Sequence, residues 1–253
     1  MDRIMSQKEY ITAWEHNAKQ HYDDGDYAWI CEKIKTFKTI LEIGCGAGYS
    51  TLALAEYGHI ILAIDNNPEA LSKTKDLLVQ HGHKAKIATQ YIDYSEANCW
   101  LYKIDAVGNK DNIAAIVNQM HIDLILLCNP GGYLDDKLYK HEVELLLQYG
   151  FTQDEVDQRY HQNAIPLLHK FALIYAAADV AIKSHTPFLI VERGDEKQAK
   201  DILDQIKIDT HMKSHWEASR RISWEPNDGV ILSGDDEKNS ETIFWSAGVL
   251  YRD

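Results

Sequence analysis

The chain has 253 residues, 45% of them hydrophobic and 26% charged, and a formal net charge of −13. That length suits one well-buried α/β domain with additions and is short for two, and the ordinary composition argues against extensive disorder. The acidic balance argues against a protein that grips a long stretch of phosphate backbone, which takes clustered Lys and Arg.

No run approaches the roughly eighteen apolar residues of a membrane span. The first residues, MDRIMSQKEY, lack the apolar core of a secretory signal. Cys31, Cys45, Cys99 and Cys128 show no Cys-x-x-Cys spacing. They read as reduced thiols rather than a disulfide framework or a zinc site, so a cytoplasmic location without a metal is expected.

Residues 7–36 carry apolar and aromatic side chains at helical offsets, among them Trp14, Ala18 and Tyr22, then Trp29, Ile30 and Ile34, broken by Asp23-Asp24-Gly25-Asp26. Two helices therefore precede the first strand. Residues 39–43 form a short apolar run of strand type that breaks at Gly44, Gly46 and Gly48 before helix-compatible residues resume from Ser50 to Tyr57. Glycine suits such a strand-to-helix turn because the chain bends tightly there and a ligand can approach the backbone. A second apolar run, 60–64, ends in Asp65, about twenty residues past the first glycine, where a carboxylate can accept from both hydroxyls of a ribose.

The glycine spacing separates two cofactor classes. A dinucleotide turn of the form G-x-G-x-x-G would place its third glycine at position 49, which is Tyr49. The observed Glu42-x-Gly44-x-Gly46-x-Gly48 instead resembles motif I of the class I S-adenosylmethionine-dependent methyltransferases, and Asp65 resembles the acid of their motif II. The resemblance covers essentially everything from Thr39 on. It implies a Rossmann-like α/β fold, with a seven-stranded, mostly parallel sheet, helices on both faces and a C-terminal antiparallel hairpin. Residues 39–253 would form the catalytic domain, and residues 1–38 a helical segment lying over the cofactor or acceptor side. In that family the stretch like Trp14…Ala18…Tyr22 lies across the pocket. Tyr22 then either contacts the methionine end of the cofactor or belongs to an amphipathic helix packing its aromatics on the domain.

Beyond Asp65, residues 68–81 read as a helix capped by Asn66 or Asn67, with Pro68 at an early position. Between 84 and 119 two strands compete. Either 84–92 is the third strand and Asp93 its acid, or 100–104 is the strand and Asp105 the acid. The second is preferred because it leaves a connection of ordinary length to the next strand. The resemblance then gives Asp105 the adenine amino group and Ala106 the clearance for the ring. Residues 122–128 are a nearly all-apolar central strand, ending in Asn129-Pro130-Gly131-Gly132-Tyr133 at the side of an open sheet where ligands bind. A helix over 166–182, a fifth strand over 187–191 and a final pair over 216–224 and 242–252 complete the order.

The resemblance gives Gly44, Gly46 and Gly48 to the methionine end of the cofactor and Asp65 to the ribose, with Glu42, Cys45, Asn66 and Asn129 expected to bind the cofactor as well. A sulfonium methyl is already electrophilic, so the protein needs chiefly to align a nucleophile. Candidate acceptor-side residues are Asn129, Tyr133 and His161, with His169 flanking the same region. Asn129-Pro130 resembles the start of the Asn-Pro-Pro-aromatic loop of amino-methylating members, but Gly131 and Gly132 remove its stacking aromatic, so Asn129 is either an amide ligand or part of a turn. Arg220 and Arg221 read as a solvated strand face. A small-molecule or protein acceptor is expected. The alternatives are a non-catalytic module that keeps the cofactor fold, a nucleic-acid amino-methyltransferase, and an NAD-dependent oxidoreductase.

Overall fold

The computed structural model describes residues 7–88, 95–130, 140, 143–144, 146–161, 164–194, 196–222 and 243–252. Helices α1 (Gln7–Asp23) and α2 (Asp26–Ile34) come first, joined through Gly25 in the left-handed region. Then β1 (Thr39–Ile43), α3 (Tyr49–Glu56), β2 (Ile60–Asp65) and α4 (Pro68–Gln80) follow. Asn67 caps α4, its Oδ1 accepting the Glu69 amide at 3.0 Å, with Pro68 opening the first turn.

β3 (Ala85–Ile87), β4 (Cys99–Lys103), α5 (Lys110–Gln119) and β5 (Leu124–Cys128) form the middle. The chain closes with α6 (Gln153–His161), α7 (Ala164–Ser184), β6 (Phe188–Gly194), α8 (Glu196–Thr210), β7 (Lys213–Ile222) and β8 (Ile243–Tyr251).

The sheet runs β3-β4-β2-β1-β5-β6-β8-β7 and has eight strands instead of the seven expected. The two competing readings of 84–104 are both strands. β3 is a three-residue edge strand with Lys86 and Ile87 exposed, paired in parallel with β4, and so short a strand adds little apolar pattern to the sequence. All other pairings are parallel except those of β8 with β6 and with β7.

Both faces of the sheet are covered, and the period-2 alternation of the strands divides the core in two. Ile40, Leu124, Leu126, Leu189 and Val191 pack with Tyr27, Ile30 and Ile34 of α2 and with Leu52 and Leu54 of α3. Leu41, Ile43, Ile125, Leu127 and Ile190 pack on the other face with Ile113 and Val117 of α5, Ile174 and Ala177 of α7, and Ile206 of α8. Strand order reverses at β1, which has β2 on one side and β5 on the other, and such a reversal opens a crevice at the carboxyl ends of the strands. No helix of the described residues is long and apolar enough to cross a membrane.

Candidate functional site

A cleft of about 1150 Å³, its open mouth included, lies at that reversal, with a lining that runs from Ile11 to Leu173. One end is local in sequence. Gly44, Gly46 and Gly48 adopt φ of 76°, 55° and 89°, left-handed values that favour glycine. A Cβ on Gly44 or Gly46 would meet nothing within 4 Å, whereas one on Gly48 would lie 2.8 Å from the Thr74 Cα, so the turn is pressed against α4.

The turn is folded onto the end of β2. Gly44 donates to the Ile64 carbonyl at 2.8 Å, and Gly46 donates to Asp65 Oδ2 at 3.1 Å. Asp65 Oδ1 accepts the Asn67 amide at 2.8 Å. Each oxygen keeps accepting capacity toward the cleft. Burial pushes the Asp65 carboxyl up to about 6, against the downward pull of those amides.

Glu42 is fully buried one step behind the turn, and its carboxylate accepts from Ser50 Oγ and Thr51 Oγ1, both at 2.5 Å. It therefore holds the first turn of α3 against β1 and does not itself line the cleft. Burial raises its carboxyl, and it raises the thiols of Cys45 and Cys128 well above their ordinary range. Both thiols stay protonated and weakly nucleophilic.

Asp105 stands two residues past β4, and β4 pairs with β2 so that Lys103 faces Asp65. The two acids thus reach the same edge of the cleft, together with Ala106. Asp105 also shapes its own loop. Oδ1 accepts from Val107 at 3.0 Å and Oδ2 from Gly108 at 3.2 Å, which makes it a turn acid as well as a cleft residue.

The other end is assembled from elements far apart in sequence. Trp14, Asn17, Ala18 and His21 of α1 face it, along with Tyr27 of α2, Cys128, Asn129 and Pro130 after β5, and His169 and Leu173 of α7. His21 is buried; its Nδ1 lies 2.9 Å from Asp26 Oδ2, and its ring lies against Trp245 at 4.6 Å between centroids. Asp26 Oδ1 in turn accepts from Arg220 Nε at 2.7 Å, and Arg220 also reaches the Asp24 carbonyl. Arg220 is thus a tie from β7 to the start of α2, not the solvated residue expected. Arg193 lies over the Trp14 ring at 5.4 Å.

Of the residues singled out in the sequence, Gly44, Cys45, Gly46, Gly48, Asp65, Asn66, Asp105, Ala106 and Asn129 all line this cleft. Asn129 has φ of 49°, a left-handed value that asparagine tolerates, and its amide donates to the Val191 carbonyl at 2.8 Å. Tyr22 is placed elsewhere. Its hydroxyl donates to the Glu56 carboxylate at 2.8 Å and its ring meets Tyr49, outside the cleft lining.

The helix period explains the displacement of Tyr22. Eight residues past Trp14 is roughly 80° round the helix, while seven is roughly 20° short of full turns, so His21 shares the inner face and Tyr22 leaves it. Asn17 and His21 were findable on that count. Tyr133 and Asp93 lie outside the described residues; His161 ends α6, and its side chain lies outside them too. Its neighbour in the sequence reading, His169, is the histidine of that region seen at the cleft. Among the described residues no group of three His, Cys, Asp or Glu side chains is placed to hold a metal ion.

Comparison with known proteins bears on the same segment. Residues 40–124 match the family model described as a methyltransferase domain. A cobalt-precorrin-6B C(15)-methyltransferase (decarboxylating) of Methanothermobacter thermautotrophicus is 40% identical over 65 residues, 26% of this chain and 34% of that protein. A ribosomal protein L11 methyltransferase of Campylobacter fetus is 26% identical over 145 residues, 51% of this chain and 49% of that protein. The chain thus spans half or less of the length of these curated relatives. A solved S-adenosylmethionine-dependent methyltransferase from Agrobacterium tumefaciens shares the fold, with a TM-score of 0.50 and 13% identity, covering 90% of this chain and 62% of that one. The glycine turn and the acid at the end of β2 both lie within the 40–124 segment that is similar to a methyltransferase domain.

Proposed function

We propose that the protein transfers a methyl group from S-adenosylmethionine to a small-molecule or protein acceptor. The observation that carries the reading is the convergence of the Gly44–Gly46–Gly48 turn, Asp65 and the Asp105-Ala106 pair on one cleft. The residues present fit the cofactor. The open Cα faces of Gly44 and Gly46 leave a cradle for a ligand against the backbone, and Asp65 is fixed by two amides with lone pairs to spare for a ribose diol. Asp105 offers a carboxylate to the adenine amino group, and Ala106 a small surface for its ring. When bound, the cofactor supplies an electrophilic methyl on sulfur.

The chain's own contribution is to position. α1 and α7 enclose the acceptor side and shed water from it, and Asn129 offers a carboxamide to the acceptor at the end of β5. His169, at the same end, is the residue placed to take a proton where the acceptor must lose one. The absence of Lys and Arg from the described lining supports an acceptor that is not a nucleic-acid backbone, and the reduced, buried thiols Cys31, Cys45 and Cys99 are consistent with a cytoplasmic protein.

The test is incubation with methyl-labelled S-adenosylmethionine and fractionated cell extract. Label passing into a small-molecule or protein fraction is expected. S-adenosylhomocysteine binding with no labelled product in any fraction would instead favour a non-catalytic binding module, and label in nucleic acid would favour an amino-methyltransferase.

A further inference from the structure

Asn17 differs from every other polar residue of the cleft. It is 1% exposed, and neither Nδ2 nor Oδ1 has a hydrogen-bond partner among the described residues. A buried carboxamide left in this way is unfavourable unless something entering the cleft completes it. Asn17 sits on α1, one turn before His21, and α1 is fastened beside the glycine turn. Glu15 pairs with Lys73 of α4, and the Tyr22 hydroxyl with Glu56 of α3. α3 itself begins at Gly48 with no side-chain cap, so its first amides lie beside the same space.

No Lys or Arg lines the cleft among the described residues, so a carboxylate entering it meets neutral donors. A carboxamide presents one donor and one acceptor side by side, the complement of an α-carboxylate next to an α-ammonium. We infer that Asn17 binds the amino-acid end of the cofactor, Nδ2 donating to the carboxylate and Oδ1 accepting from the ammonium. The cofactor thereby fastens α1 over the cleft. This rests on the proposal that the cleft takes S-adenosylmethionine, and it assigns to Asn17 the contact that the sequence suggested for Tyr22.

Calorimetry on the whole chain tests it with two thioethers, S-adenosylhomocysteine and methylthioadenosine, which keeps the adenosine and sulfur but lacks the amino-acid carbons. Asn17→Leu keeps the volume and removes both polar atoms. It is expected to weaken S-adenosylhomocysteine by about tenfold or more and to leave methylthioadenosine within about twofold. Because the orphaned amide is gone, the ligand-free variant is also expected to melt about 2–4 °C higher than the wild type. Asn17→Asp, of the same size, replaces the donor by a like charge and gives the same selective loss if the leucine variant does not fold. Equal losses for both thioethers, or an unchanged affinity for S-adenosylhomocysteine, overturn the assignment. Wild-type protein that binds neither thioether overturns the cofactor reading on which it stands.

Discussion

The two ends of the cleft are built on opposite plans. At the end proposed for the adenosine, carboxylates are gripped by backbone amides a few residues to about twenty residues away: Gly46 and Asn67 on Asp65, Val107 and Gly108 on Asp105. At the other end, side chains from α1, α2 and α7 meet, and behind them Arg220 of β7 reaches across 194 positions to Asp26. A site made from local backbone geometry can be read from spacing. One made by tertiary assembly can be read only once the elements are placed.

The sharpest way to break the local end is Gly48→Val. A Cβ there lies 2.8 Å from backbone of Thr74 and φ is 89°, so crowding and left-handed strain together cost about 2–5 kcal/mol. Urea unfolding should show that loss, and S-adenosylhomocysteine binding should disappear with the turn. Asp65→Ala comes next. It removes two charge-assisted hydrogen bonds to the ribose, each worth about 1.5–3 kcal/mol, and calorimetry should record binding at least about tenfold weaker. Unchanged affinity would remove Asp65 from the site.

pH separates the two roles of that carboxyl. Its folded value of about 6 is raised by burial above the ordinary 3.8, so its contribution to ligand-free stability is complete below pH 3.8 and is lost as pH rises through 6. Ligand binding runs the other way, since ribose hydroxyls donate to the ionised form. Affinity for S-adenosylhomocysteine should fall about tenfold between pH 7 and pH 5, and Asp65→Asn should flatten this step in a calorimetric pH series.

The assembled end is expected to yield a smaller and purely structural effect. Arg220→Ala leaves Asp26 buried with His21 as its remaining described partner. Because Arg220 is itself 34% exposed, solvent screens the pair, and the loss should be about 1 kcal/mol in urea unfolding, with methylthioadenosine affinity unchanged. A loss of methylthioadenosine binding there would mean that the two ends of the cleft are coupled.

The same contrast governs what could be read in advance. β1 occupies the expected 39–43, and the glycine turn and Asp65 stand where their spacing put them, because strand, turn and strand are contiguous. β6 extends through Glu192-Arg193-Gly194, beyond the expected 187–191, since pairing with β8 rather than apolar pattern carries those residues. The segment 84–92 competes with 100–104 for one strand in the sequence, and both hold one, because an edge strand of three residues that buries only Ala85 leaves little pattern of its own. Of the two readings of Tyr22, its contacts with Glu56 and Tyr49 fit the aromatic packed on the domain, because the Trp14, Ala18, Tyr22 series drifts round the helix, and the same helix period brings Asn17 to the cleft. Arg220 gave no sign of its partner, which lies in another element altogether.

The central claim is that this cleft holds the adenosine of S-adenosylmethionine and not that of a dinucleotide, whose turn would need glycine in place of Tyr49. Titration calorimetry of the whole chain with S-adenosylhomocysteine and, separately, with NAD tests it most directly. Saturable one-to-one binding of S-adenosylhomocysteine with no heat from NAD is the predicted result; binding of NAD with none of S-adenosylhomocysteine would contradict it.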